Sequence, residues 1–256
     1  MNNLLVTEPQ VSTYSGKLLD LHSPATKDID YTDIAWALGR TPRYNGHTHV
    51  DWTVAHHSVV LAHADPTLGL HMLLHDAAEA YIGDIVAPVK DLAPQIKEVE
   101  EGIWRAVYRK IAEDMGIAFE DIFPVSPTRD AICQLDVAML QHECYVMNTP
   151  RHCSPYEAVF SPVIQSAWED AVACSQRYWA APALVWLMTF YQLTELWPEG
   201  LTPGATYEEL ITFMEPTWYA PRHLEHEELL QEANEEVMPT PEEIDGALEE
   251  LGNEET

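Results

Sequence analysis

LLHDAAEAYIGD, Leu73 to Asp84, sets a His-Asp pair and two further acids into one predicted helix and the turn that follows it. Adjacent helical residues lie about 100° apart, so His75 and Asp76 can lean toward one ion while Glu79, three and four residues on, projects from the same face. Gly83 marks the expected helix stop, and Asp84 follows it. The neighbours Leu73, Leu74, Ala77, Ala78 and Ala80 are apolar or small, which places four polar side chains on a largely buried helix. Buried acids need a cation or a partner. The stretch therefore points to a helical fold built around metal-dependent hydrolysis, although a single His-Asp dipeptide more often marks a hydrogen-bonded pair or a solvated surface.

Working outward, the upstream segment RYNGHTHVDWTVAHHSVV supplies Arg43, His47, His49, His56 and His57, a second source of imidazole. The periodicity predicts an almost wholly helical protein. Helices are expected from Ile34 to Gly39, with Asp33 near the start, then over Val54–Ala64 and over Leu68–Ile82 as one continuous motif helix. Further helices are expected over Lys97–Met115, with Val99, Ile103, Val107 and Ile111 along one side, and over Thr128–Asn148. A short hairpin around Ser15-Gly16, within Thr13–Leu21, is the strand signal. Beyond Thr149, prolines punctuate the chain, with helices predicted at Val163–Tyr178 and Ala183–Leu196.

Four stretches, in order, resemble the HD-domain phosphohydrolases: DIDYTDIAWALGRTPRYNGHT (28 to 48), TVAHHSVV (53 to 60), LLHDAAEAYIGDIVAPVK (73 to 90) and LDVAMLQHE (135 to 143). The likeness is to the small phage and bacterial branch that includes YfbR-like 5'-nucleotidases and phage dATP triphosphohydrolases. It implies an all-α fold, an HD-domain helical bundle with extra C-terminal helices and an acidic, partly disordered tail. The corresponding division is a core at 1–149, a helical extension packed on it at 150–222 and the tail at 223–256.

The resemblance also implies roles. His57, His75, Asp76 and Asp136 match the metal ligands; His56, where relatives often carry Glu or Gln, is the competing histidine, and the Ser58 that follows His57 favours the latter. Glu79 and Asp84 match acids that orient or deprotonate the attacking water, and Arg43 matches a phosphate-binding arginine whose planar fork suits phosphate oxygens. Tyr44 could stack on a base or sugar, and Lys90 could bind phosphate. Local alternatives stay open: Arg43 and Tyr44 could close a helix end before an Asn45-Gly46 turn, Asp84 could cap the next element, and Lys90 could be a surface lysine. His47, His49, His63 and His71 read as ordinary surface or helix-face histidines.

Two His and two Asp accept a divalent transition metal, Mn, Co or Zn, with Fe or Ni as further candidates. The activity implied is hydrolysis of deoxynucleotides, either a monophosphate 5'-nucleotidase or a triphosphohydrolase, with adenine a preference by analogy. Scarce basic residues near the motifs tilt the reading toward short phosphates. One alternative is a phosphodiesterase acting on a cyclic or signalling nucleotide, but two-metal relatives of that kind need extra histidines between the HD pair and the last Asp, and none lies between Asp76 and Asp136. The other is an acidic DNA-mimic interaction protein.

Composition bounds these readings. A formal net charge of -29 over 256 residues argues against a nucleic-acid partner. Glu225 to Thr256 holds 13 acids and no Lys or Arg, a tail that buries too little apolar surface to order itself, apart from a short helix around His223–Ala233. The start MNNLLVTEPQVST lacks a basic, then apolar, leader. The apolar run Trp179–Phe190 is short and broken by Pro182, so it reads as a buried helix or an interface rather than a membrane span. Cys133, Cys144, Cys153 and Cys174 lack C-x-x-C spacing and read as reduced thiols. The expectation is a cytoplasmic homo-oligomer acting on a nucleotide, with neither nucleic-acid nor membrane partners.

Overall fold

Two short antiparallel strands precede a chain of helices in the computed structural model, which describes residues 9–147, 161–173 and 181–219. Strand β1 (Gln10–Ser12) pairs with β2 (Leu18–Asp20), Val11 opposite Leu19, around a turn in which Gly16 takes φ +86°. A Cβ is costly there, which is why glycine stands at the turn. This is the expected hairpin, with its first strand slightly nearer the N-terminus. It is tied to helix α1 (Tyr31–Leu38) by Asp33, whose carboxylate accepts from the Ser15 amide at 2.6 Å and the Ser15 hydroxyl at 2.7 Å. Helix α1 begins earlier than Ile34 because Asp30 caps it, accepting from the Thr32 amide at 2.9 Å.

Helix α2 spans Val54–Ala64, the predicted limits, because Thr53 and His56 close a reciprocal capping box at its start. Residues Val54 to Ala62 are all buried. A helix buried all round is a central one, and α2 packs against α3 (Gly69–Leu74), α8 (Thr128–Met147), α9 (Pro162–Ala173) and α10 (Pro182–Thr194). Helix α10 carries the apolar run expected to be buried; Leu184 to Tyr191 are inaccessible, and the Trp186 and Phe190 rings stack at 5.5 Å.

The segment Leu68–Ile82 is not one helix. Helix α3 stops at Leu74, and α4 resumes over Glu79–Ile82. Between them the amides of Ala77 and Glu79 reach back three residues, to Leu74 O at 3.0 Å and Asp76 O at 2.9 Å, a tighter winding than an α-helix. Side chains cause the change: His75 Nδ1 bonds the Met72 carbonyl at 2.6 Å, and Trp104 Nε1 donates to the Leu74 carbonyl at 2.9 Å. Those carbonyls would otherwise serve amides four residues on.

Helix α5 (Ala87–Leu92) leads into α6 (Gln95–Met115), which ends at left-handed Gly116. Ile103, Val107 and Ile111 are buried as their spacing predicts, while Val99 is half-exposed. Helix α7 (Phe119–Ile122) packs on α6. The chain separates into two units, Met1–Tyr207 and Glu208–Thr256, the second including most of α11 (Tyr207–Tyr219). The acidic tail and the helix expected over His223–Ala233 lie outside the described residues. Among the described residues no helix is long and apolar enough to cross a membrane.

Helices α1 and α10 meet at Gly39, where an added Cβ would stand 2.9 Å from both the backbone nitrogen and the Cβ of Ala183. Gly39→Ala is predicted to destabilise the protein by about 1–3 kcal/mol, read as a lower midpoint in denaturant unfolding. An unchanged midpoint would mean that the contact is loose.

Candidate metal centre

Three elements bring the polar residues together: α2 supplies His57, the tight turn after α3 supplies His75 and Asp76, and α8 supplies Asp136. His57 Nε2 lies 3.2 Å from His75 Nε2 and 3.1 Å from Asp136 Oδ1, and Asp76 Oδ2 lies 3.1 Å from His75 Nε2 and 3.7 Å from His57 Nε2. One ligand atom from each of His57, His75 and Asp136 falls within 4.8 Å of the others. Donors bound to one ion at about 2.0–2.2 Å stand about 3.0–3.5 Å apart, so the spacing fits a single divalent cation. Tautomers agree with that use. Each imidazole commits Nδ1 elsewhere, His57 to Glu143 Oε1 at 2.7 Å and His75 to the Met72 carbonyl, and turns Nε2 inward.

Glu143 is the site residue that the sequence reading did not assign a role. It is fully buried, and it accepts from Arg43 Nε at 3.2 Å, the Tyr44 hydroxyl at 2.7 Å, Trp52 Nε1 at 2.7 Å and His57 Nδ1. Burial would raise its pKa, but His57 and Arg43 beside it bring the carboxyl down to about 2. The signal was present: Glu143 stands seven residues after Asp136, two turns along the same face of α8.

Arg43 is 8% exposed and also reaches Asp76 Oδ2 through Nη1 at 3.4 Å, so it links Asp76 to Glu143. It does so from a short loop, Arg43–Gly46, in which Tyr44 and Asn45 take φ +57° and +52°. Such backbone costs about 1–3 kcal/mol for a non-glycine residue, and the Tyr44 bond to Glu143 holds it. Tyr44 thus points its hydroxyl inward. His56 turns away from the cluster, capping α2 and stacking on Trp52 at 5.1 Å. His71 bonds the Tyr108 hydroxyl at 2.9 Å, and His47 is exposed.

Among the protein groups alone, burial and Arg43 lower His57, but Glu143 and Asp136 raise it further; His75 is raised well above its ordinary value against burial by Asp76 and Asp136. Burial opposes the ionised form of Asp136, yet the two imidazoles bring it well below the usual carboxylate range. A cation bound here displaces protons, so affinity weakens as pH is lowered.

Glu79 is 5% exposed, with Oε2 buried and without a partner and Oε1 3.5 Å from Lys90 Nζ. Burial first, then the charges of Asp76 and Asp84, push its carboxyl up to about 10, against Lys90 and Arg43. Asp84, just past positive-φ Gly83, is half-buried and raised chiefly by burial. Lys90 pairs more closely with Glu100, at 2.6 Å.

A cleft of about 350 Å³ opens beside the cluster. His75, Asp76, Glu79 and Asp136 meet Lys90, Lys97 and Arg129 there, with Glu100 and Glu101 and an apolar strip that includes Trp104 and Ile132. Arg129 falls within the helix expected over Thr128–Asn148, with no role assigned to it; nothing in its neighbourhood marks it, because its partner Glu101 comes from α6, 28 residues earlier.

No family model matches the chain. Two relatives align with part of it. The uncharacterized protein YfdR of Escherichia coli K12 is 37% identical over 101 residues, 39% of this chain and 57% of that protein. An uncharacterized protein of Rhodobacter capsulatus is 43% identical over 86 residues, 30% of this chain and 44% of its own length. The chain thus spans about half the length of these relatives.

The burial of Glu79 carries a stability cost with a defined sign. A folded-state value near 10 means that the native protein keeps a proton which the unfolded chain releases above about 4.3, so the cost is absent at pH 4 and grows as pH rises toward 10. Glu79→Gln is predicted to stabilise the metal-free protein at pH 8 by on the order of 2 kcal/mol, with little change at pH 4. Urea unfolding in the presence of a chelator measures both, and destabilisation at pH 8 would show an ionised Glu79 held by Lys90.

Proposed function

We propose that this protein is a metal-dependent phosphohydrolase of the HD type that cleaves deoxynucleotides, with short phosphate chains preferred. The observation that carries the reading is the convergence of two Nε2 atoms and two carboxylates beside a buried carboxylate with one unpartnered oxygen and a cleft of mixed charge. A purely structural cluster has no need of a cleft or of the orphan Glu79 oxygen. His57, His75, Asp76 and Asp136 would hold the ion. When bound, a divalent cation polarises a phosphate oxygen, acidifies water and offsets the carboxylate charges that keep Glu79 protonated.

The chain's own residues supply the rest. Glu79 accepts the proton of the attacking water as the new P–O bond forms and the ester P–O bond breaks, and the leaving oxygen recovers a proton from solvent. Lys90, close to Glu79, faces the cleft where a phosphate oxygen would sit, and Arg43 steadies Asp76. Chain length follows from charge. The cleft sets Lys90, Lys97 and Arg129 against Asp76, Glu79, Glu100, Glu101 and Asp136, so even a divalent ion leaves no cationic surplus for a triphosphate. Mn, Co and Zn suit the two imidazoles better than Mg.

Chromatographic analysis of deoxynucleoside mono- and triphosphates incubated with Mn, Co, Zn or Mg tests the reading. Phosphate and nucleoside are expected from monophosphates with a transition metal. Asp76→Ala is expected to lose bound metal and turnover together, and Glu79→Ala to keep metal while losing at least about 100-fold in kcat. Turnover that persists in both variants, or no turnover by folded, metal-loaded protein, would contradict it.

A further inference from the structure

The cleft has an apolar side that the reaction itself does not require. Trp104 of α6 is half-exposed on it, beside Ala78, Ile132 and Cys133. The indole is nevertheless held on several sides: Nε1 donates to the Leu74 carbonyl at 2.9 Å, Tyr108 and Phe123 meet the ring edge-on with centroids at 5.0 Å, and the Arg129 guanidinium lies 4.7 Å from the ring centroid. Arg129 is itself fixed, since Nη2 bonds both carboxylate oxygens of Glu101 at 2.9 and 3.1 Å and Nε donates to the Pro124 carbonyl. A partly exposed indole that lines a preformed cleft and is denied rotation is suited to receive a flat ligand group without an ordering cost.

Its position supports that use. The Leu74 carbonyl that anchors Trp104 immediately precedes His75, so the indole stands beside the cluster that would hold the phosphate. A cleft of about 350 Å³ lies within the range of small-molecule pockets, toward its lower end. Resting on the phosphohydrolase reading above, we infer that Trp104 is the specificity-determining wall of the cleft, against which the nucleobase of a nucleoside monophosphate stacks, with Arg129 as the positioning residue that fixes the indole. The base is thereby what separates substrates from other phosphomonoesters.

Comparison of kcat/KM for the best of the four common deoxynucleoside monophosphates with that for 2-deoxyribose 5-phosphate, which shares the reacting centre but has no base, tests the inference. The wild type is expected to favour the nucleotide by on the order of tenfold or more, the usual worth of one base–aromatic stack. Trp104→Leu, which also frees the Leu74 carbonyl, should lower the nucleotide value more than the deoxyribose phosphate value and so remove most of that preference, and Trp104→Phe should retain most of it; thermal melting and bound Mn report whether each variant is intact. Equal hydrolysis of both compounds by the wild type overturns the inference while the phosphohydrolase reading stands, and this arm needs no variant to fold. So does an equal loss on both compounds in an intact Trp104→Leu. Failure of the wild type to hydrolyse either compound overturns both readings.

Discussion

A carboxylate with no exposure to water must be surrounded by donors, and Glu143 draws its four from a single stretch, Arg43 to His57, that lies 86 to 100 residues earlier in the chain. Arg43 and Tyr44 come from a strained loop, Trp52 from the residues leading into α2, His57 from α2 itself, and Glu143 from α8. Loss of one partner from such a group is far more damaging than its presence is stabilising, so the arrangement fixes these segments relative to one another. It also fixes the His57 ring, because Nδ1 donates to Glu143 and Nε2 then faces His75 and Asp136. The geometry of the cluster follows from a hydrogen bond on the side of the imidazole away from it.

The second constraint is the change of winding at His75. A regular helix would place Asp76 and Glu79 about 60° apart around the axis, whereas three residues per turn bring them nearly into line. That alignment puts a buried carboxylate next to a ligand carboxylate, and their mutual repulsion helps to keep Glu79 protonated among protein groups alone. The same two captured carbonyls, Met72 and Leu74, therefore orient His75, locate Glu79 and anchor the Trp104 wall.

Local signals in the sequence carried much of this. The expected span Val54–Ala64 is the one α2 has, and Gly83 marks a helix end where the structure has one. His57, His75, Asp76 and Asp136, named from motif resemblance, come together in space. What was illegible depended on contacts distant in sequence. The break after Leu74 needs Trp104, 30 residues away, and the burial of Glu143 needs Arg43, 100 residues away. Arg129 carries no mark in its own helix until α6 presents Glu101. Lys90 lines the cleft and pairs with Glu100, whereas Tyr44 and Arg43 are not among the cleft's lining residues and bond Glu143 instead.

The central claim is that His57, His75, Asp76 and Asp136 form one cation site. Anomalous diffraction at the Mn or Zn absorption edge, from crystals of the metal-loaded protein, tests it most directly. The account predicts one dominant peak about 2.0–2.3 Å from His57 Nε2, His75 Nε2 and an Asp136 oxygen. A loaded protein whose peak lies elsewhere, with His57 and His75 bonded only to protein groups, would contradict it.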